Sequence, residues 1–109
     1  MKYKKRKKTG EWDMFLEIWS KTKHHYCEKC NKDLGSVPAP VYFSHIVPKS
    51  KSNALRLDPN NIELLCGHCH NKYEFGTIEE IRAMNNSKRM KEYLKEHNYL
   101  RWYKIWGEE

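Results

Sequence analysis

Two Cys-x-x-Cys pairs, Cys27-Glu28-Lys29-Cys30 and Cys66-Gly67-His68-Cys69, enclose His45 and Asn61, and His70 follows the last cysteine directly. Four cysteines can close two disulfides or one metal site. The basic N-terminus lacks an apolar run, so no secretory leader is expected, and in a reduced compartment paired Cys-x-x-Cys reads as zinc. Four thiolates suit a closed tetrahedral Zn2+ site with no open position, which makes Cys27, Cys30, Cys66 and Cys69 a structural set. His45, Asn61 and His70 remain for other chemistry. Histidine titrates where a general base must work near neutral pH. Asparagine alone is a common turn residue, and each histidine alone could be structural. The signal lies in the three occurring together, in register with the cysteines.

These residues need elements to hold them. Trp12, Phe15, Leu16 and Trp19 fall at i, i+3, i+4 and i+7, predicting an amphipathic helix over 10–21 with these aromatics in the core. Residues 24–34 hold the first cysteine knuckle, ending near Gly35. Val37-Pro38-Ala39-Pro40 cannot continue a helix. Residues 41–47 are rich in β-formers and read as a strand, with Phe43, His45 and Val47 on one face and Tyr42, Ser44 and Ile46 on the other. Residues 49–60 form a polar loop with turn chemistry at Asp58-Pro59-Asn60. Asn61 opens a short apolar run, and a helix carries Cys69 to about Phe75, with Gly76 placed to stop it. Thr77 and Glu80 fit a capping box for a helix to about Asn85. Ser87 caps another helix with Met90, Tyr93, Leu94 and His97 on one face, and Tyr99, Trp102, Tyr103 and Trp106 repeat the helical spacing. The expected organisation is a basic flexible tail, 1–9, and one domain, 10–109, with a core at 24–76 and a helical extension at 77–106.

The chain has 109 residues, of which 39% are hydrophobic and 32% charged. A core that small benefits from a metal staple. The net charge is +7, and the isoelectric point is about 9.2, a balance that favours polyanionic partners, nucleic acid above all. Lys4, Lys5, Arg6, Lys7 and Lys8 in the tail, and Lys49, Lys51 and Arg56 in the loop after His45, are the candidate phosphate contacts. No stretch is long and apolar enough to span a membrane.

Taken together, Ser44-His45-Ile46-Val47-Pro48, Asn61-Ile62-Glu63-Leu64-Leu65-Cys66 and Cys69-His70, flanked by Cys27 and Cys30, resemble the zinc-bearing branch of the HNH endonuclease family over residues 24–76. Arg56-Leu57-Asp58-Pro59-Asn60-Asn61 is similar to small phage and prophage members. The resemblance implies an α+β chain: a small ββα-metal core stapled by the four-cysteine zinc site, with flanking N- and C-terminal helices. It implies a DNA endonuclease, with RNA left open, in the cytoplasm of a bacterial or phage-infected cell. His45 would be the general base, Asn61 the residue that orients the base or supports the metal, and His70 a ligand of a catalytic divalent cation such as Mg2+, Mn2+ or Ni2+. The match departs at Ser44, where many members carry an Asp or His ligand and a hydroxyl coordinates poorly. Glu74, four residues after His70 and on the same helical face, is the candidate replacement ligand, with Asp58 a second. The competing expectation is a non-catalytic zinc module that binds nucleic acid, which Ser44 favours; a protein-interaction zinc domain is a more remote third.

Overall fold

The computed structural model describes residues 10–48, 51 and 53–107. The basic run 4–8 and Lys49 lie outside them. Five helices and two short strands follow in the order α1 (Glu11–Lys21), β1 (Phe43–His45), β2 (Ile62–Leu64), α2 (Gly67–Phe75), α3 (Ile78–Ala83), α4 (Lys88–His97) and α5 (Tyr99–Trp106). Among the described residues, no helix is long and apolar enough to cross a membrane.

The strands pair antiparallel, with Phe43 opposite Leu64, Ser44 opposite Glu63 and His45 opposite Ile62. Alternation puts Phe43 and His45 on one face and Ser44 and Glu63 on the other. Every strand residue is buried because helices cover both faces. On one, Phe15 of α1 stacks on Phe43 with centroids 4.4 Å apart. On the other, α2 lies across the sheet, and the Tyr73 hydroxyl donates to the Ile46 carbonyl at 2.6 Å. The core unit is therefore β1–β2–α2, the ββα arrangement, with α1 added to the outer sheet face.

Several boundaries differ from the sequence expectation. The strand begins at Phe43 rather than Val41, because Pro40 starts a single 3-10 turn through Tyr42 whose fixed proline φ suits a helical first position. α2 starts at Gly67, with Cys66 as its N-cap, and ends at Gly76. Glycine is needed there: a Cβ on Gly76 would lie 2.5 Å from the Lys72 carbonyl oxygen. α1 is also rotated from the expected face. Met14, Phe15 and Trp19 are buried, whereas Trp12 and Leu16 are exposed.

Predicted caps form where expected. Thr77 and Glu80 make the reciprocal capping box, and Ser87 Oγ accepts from Met90 N–H. α4 and α5 bury Met90, Leu94, Ile105 and Trp106 in a cluster continuous with Phe15, Leu65 and Tyr73. Two arginines tie this extension down: Arg101 donates to the Tyr73 carbonyl at 3.1 Å and Arg82 to the Ile105 carbonyl at 2.8 Å.

Candidate active site and zinc centre

The four cysteines converge. Their sulfurs lie within 4.8 Å of one another, the spacing four ligands of one tetrahedral ion require. The first knuckle turns through Asn31 at φ 65°, a left-handed conformation asparagine tolerates, while the Asn31 N–H donates to the Cys27 carbonyl at 2.9 Å. The knuckle is stitched to β2: Glu28 N–H donates to the Leu64 carbonyl, and Glu28 Oε2 accepts from Leu64 N–H, both at 2.8 Å. Burial raises the Cys27 thiol, but N–H groups around the knuckle and the Cys30 side chain bring it down to about 7. Burial drives the Cys69 thiol upward, as do the neighbouring cysteine sulfurs. Packed sulfurs that cannot all ionise without a cation are a donor set suited to zinc, and this cluster could hold it.

Asn61 is fully buried, and its amide is spent on the chain between the strands. Oδ1 accepts from Val47 N–H at 2.7 Å, and Nδ2 donates to the Val47 and Leu55 carbonyls, each at 3.1 Å. These bonds clamp both ends of the loop after His45. The residue following Leu55 then reaches back: the Arg56 carbonyl lies 3.1 Å from His45 Nε2. A carbonyl can only accept, so Nε2 carries a proton. Glu11 Oε2 of α1 lies 3.6 Å from the same Nε2 and 3.2 Å from Arg56 Nε. Against the ring, Phe15 makes an edge contact at 6.0 Å. His45 retains 8% of its surface.

His70 has the reverse polarity. Its Nδ1 donates to the Val41 carbonyl at 2.6 Å, which turns Nε2 toward Glu74 Oε1, 3.5 Å away and one turn along α2. A histidine that donates one nitrogen to a backbone carbonyl and presents the other beside a carboxylate has the arrangement of a metal ligand. The separation is one that two ligands at roughly 2.1 Å from a single ion can span.

The predicted residues thus fall into two sets: His45 with Asn61 through the loop, and His70 with Glu74 on α2. No hydrogen bond or ion pair among the described residues joins the sets. Ser44, on the face opposite His45, is fully buried, and its Oγ has no hydrogen-bond partner among the described residues. Asp58 serves as a cap, accepting from Asn60 N–H and from the Tyr93 hydroxyl. Of the predicted phosphate contacts, Lys51 is exposed, whereas the Arg56 guanidinium is held by Glu11.

Three further groups carry no sequence signal. Glu11 lies outside every motif. Arg89 on α4 braces β2 through the Asn60 and Ile62 carbonyls, both at 2.9 Å. Lys29, inside the knuckle, is buried against Glu63 at 3.3 Å and donates to Asn86 Oδ1 at 2.7 Å. Burial raises the Glu63 carboxyl, and Lys29 only partly offsets this.

Residues 27–76 match the family described as HNH endonuclease, and this segment holds the two strands, the helix and the cysteine cluster of a ββα-metal arrangement. No curated protein and no solved structure matches the chain. The family is one of nucleases, so the domain's class is nuclease-type.

Proposed function

We propose that the chain is a metal-dependent endonuclease that hydrolyses DNA phosphodiester bonds, with His45 as general base. The supporting observation is the fixed setting of His45: the Arg56 carbonyl accepts from its Nε2 and Glu11 lies beside the same nitrogen, so the imidazole is held in place, as a base that takes a proton from water must be. The resulting hydroxide attacks phosphorus, and the P–O bond opposite breaks. Asn61 acts without touching substrate, by clamping the loop that carries the Arg56 carbonyl. Protonated His45 is stabilised by Glu11, whose carboxylate lies beside Nε2. His70 and Glu74 would hold the divalent cation. When bound, that cation would offset charge on the departing oxygen.

A second reading, a zinc module that binds nucleic acid without cutting it, is favoured by the burial of His45 and by Ser44, whose hydroxyl is enclosed rather than offered to an ion. Incubating supercoiled plasmid with the protein and Mg2+, Mn2+ or Ni2+ in turn separates the two. Nicked or linear product with at least one ion supports the nuclease. DNA binding with no cleavage under any ion supports the module.

A further inference from the structure

The C-terminal helices lie outside the HNH segment, yet they carry a surface with its own chemistry. Lys88, Lys91 and Lys95 recur at i, i+3 and i+7 along α4 and line one groove of about 350 Å3, with Asn86, Glu92 and Trp102. Lys95 Nζ sits 4.5 Å from the Trp102 ring centroid, and Lys91 Nζ sits 5.1 Å from that of Trp106. Trp102 leads into a row of rings: Tyr99 lies 5.6 Å from Trp102 and 6.2 Å from Tyr103. Tyr99 is 53% exposed and Tyr103 45%.

Packing against the core accounts for Trp102 but not for the two exposed tyrosines. Ile105 and Trp106 supply the buried face of α5, and the tyrosines point elsewhere. Charge selects the occupant. Residues 88–104 hold six basic and two acidic side chains. Arg89 and Arg101 turn inward onto backbone carbonyls. Lys88, Lys95 and Lys104 stay exposed, and Glu92 is the one acid in the groove, 3.9 Å from Lys88. Exposed tyrosine rings joined to a lysine groove through Trp102, which lines that groove, suit a strand whose bases are unstacked and whose phosphates run alongside. Duplex DNA keeps its bases out of reach of such rings.

We infer that the α4–α5 face binds single-stranded nucleic acid, bases on Tyr99 and Tyr103 and phosphates along Lys88, Lys91 and Lys95. This deepens the nucleic-acid reading above and rests on it; the face would hold the unpaired strand of a substrate. The test uses the full chain carrying His45→Ala, so binding is read independently of cleavage. Affinity for a short labelled single strand is compared with that for the duplex of the same sequence. The single strand is expected to bind more tightly. Tyr99→Ala is expected to weaken that binding about tenfold, within the range for loss of one stacked base, while Tyr99→Phe stays within about twofold. Lys88→Gln with Lys95→Gln is expected to flatten the salt dependence by about 1.4, two phosphates at about 0.7 each. No preference for the single strand, a Tyr99→Ala affinity within about twofold of the parent, or equal weakening by Tyr99→Phe overturns the inference. A wild type that binds in this way yet cuts no plasmid refutes the nuclease reading alone.

Discussion

The Arg56 carbonyl holds His45 through Nε2 at 3.1 Å, and Asn61 holds the carbonyl of the preceding residue, Leu55, at the same distance. His45 and Asn61 are thus coupled through one loop. Truncating Asn61 should release His45 without removing it. Asn61→Ala leaves the Val47 N–H and two carbonyls without their partner in a buried site, costing about 2–4 kcal/mol at about 1–3 kcal/mol for each unsatisfied group, partly relieved by relaxation. Urea unfolding should show that loss, and cleavage at a temperature where the variant is fully folded should fall as well. Unchanged cleavage would mean the loop does not set the base.

Zinc should be required for the fold, not only for activity. Cys66→Ser removes one ligand from the residue that opens α2, so metal content should fall from one zinc per chain and helical signal with it. The pH dependence has a defined sign. Protons compete for the thiolates, the Cys27 thiol titrates at about 7 and Cys69 is pushed upward, so zinc affinity should weaken as pH falls. Competition with a chromophoric chelator from about pH 8 to about pH 6 measures it.

The Lys29–Glu63 pair should behave as a buried ion pair. Glu63→Ala strands the Lys29 ammonium and should cost about 3–5 kcal/mol, whereas Lys29→Met with Glu63→Leu should be far milder. Burial raises the Glu63 carboxyl above its ordinary 4.5, so in the window above that value the folded state binds the extra proton. Stability from this group therefore falls as pH rises through the window, opposite to a typical salt-bridged carboxylate. Glu63→Gln should flatten that slope in urea titrations run across pH.

Glu74 should matter to the ion rather than to the base. Glu74→Ala is expected to raise the cation concentration needed for half-maximal cleavage by about 10–100-fold, with the rate at saturating ion less affected. An unchanged activation curve would remove Glu74 from the ligand set.

Much of the centre was legible because its signals are local. Cys-x-x-Cys spacing places sulfurs on tight knuckles, and Thr77, Glu80 and Ser87 announce helix starts within three residues. The ββα core followed from the resemblance carried by His45, Asn61 and His70. What stayed hidden depends on contacts far apart in sequence. Nothing near Glu11 marks it as a partner for Arg56, 45 residues on. Glu63 looks like the solvent-facing residue of an Ile-Glu-Leu alternation, but α2 and the knuckle bury it against Lys29. The α1 stripe misled for a related reason: Trp12, Phe15, Leu16 and Trp19 share a helical face, yet the sheet meets the helix about Phe15 and Trp19 and recruits Met14 instead.

The central claim is that His45 removes the proton from water. The most direct test is the single-turnover cleavage rate of wild type against His45→Ala on the same plasmid, with the activating ion saturating and zinc content equal. The account predicts a loss of about 10²–10⁴-fold, the contribution of a positioned general base. A His45→Ala protein that cleaves at the wild-type rate would contradict it.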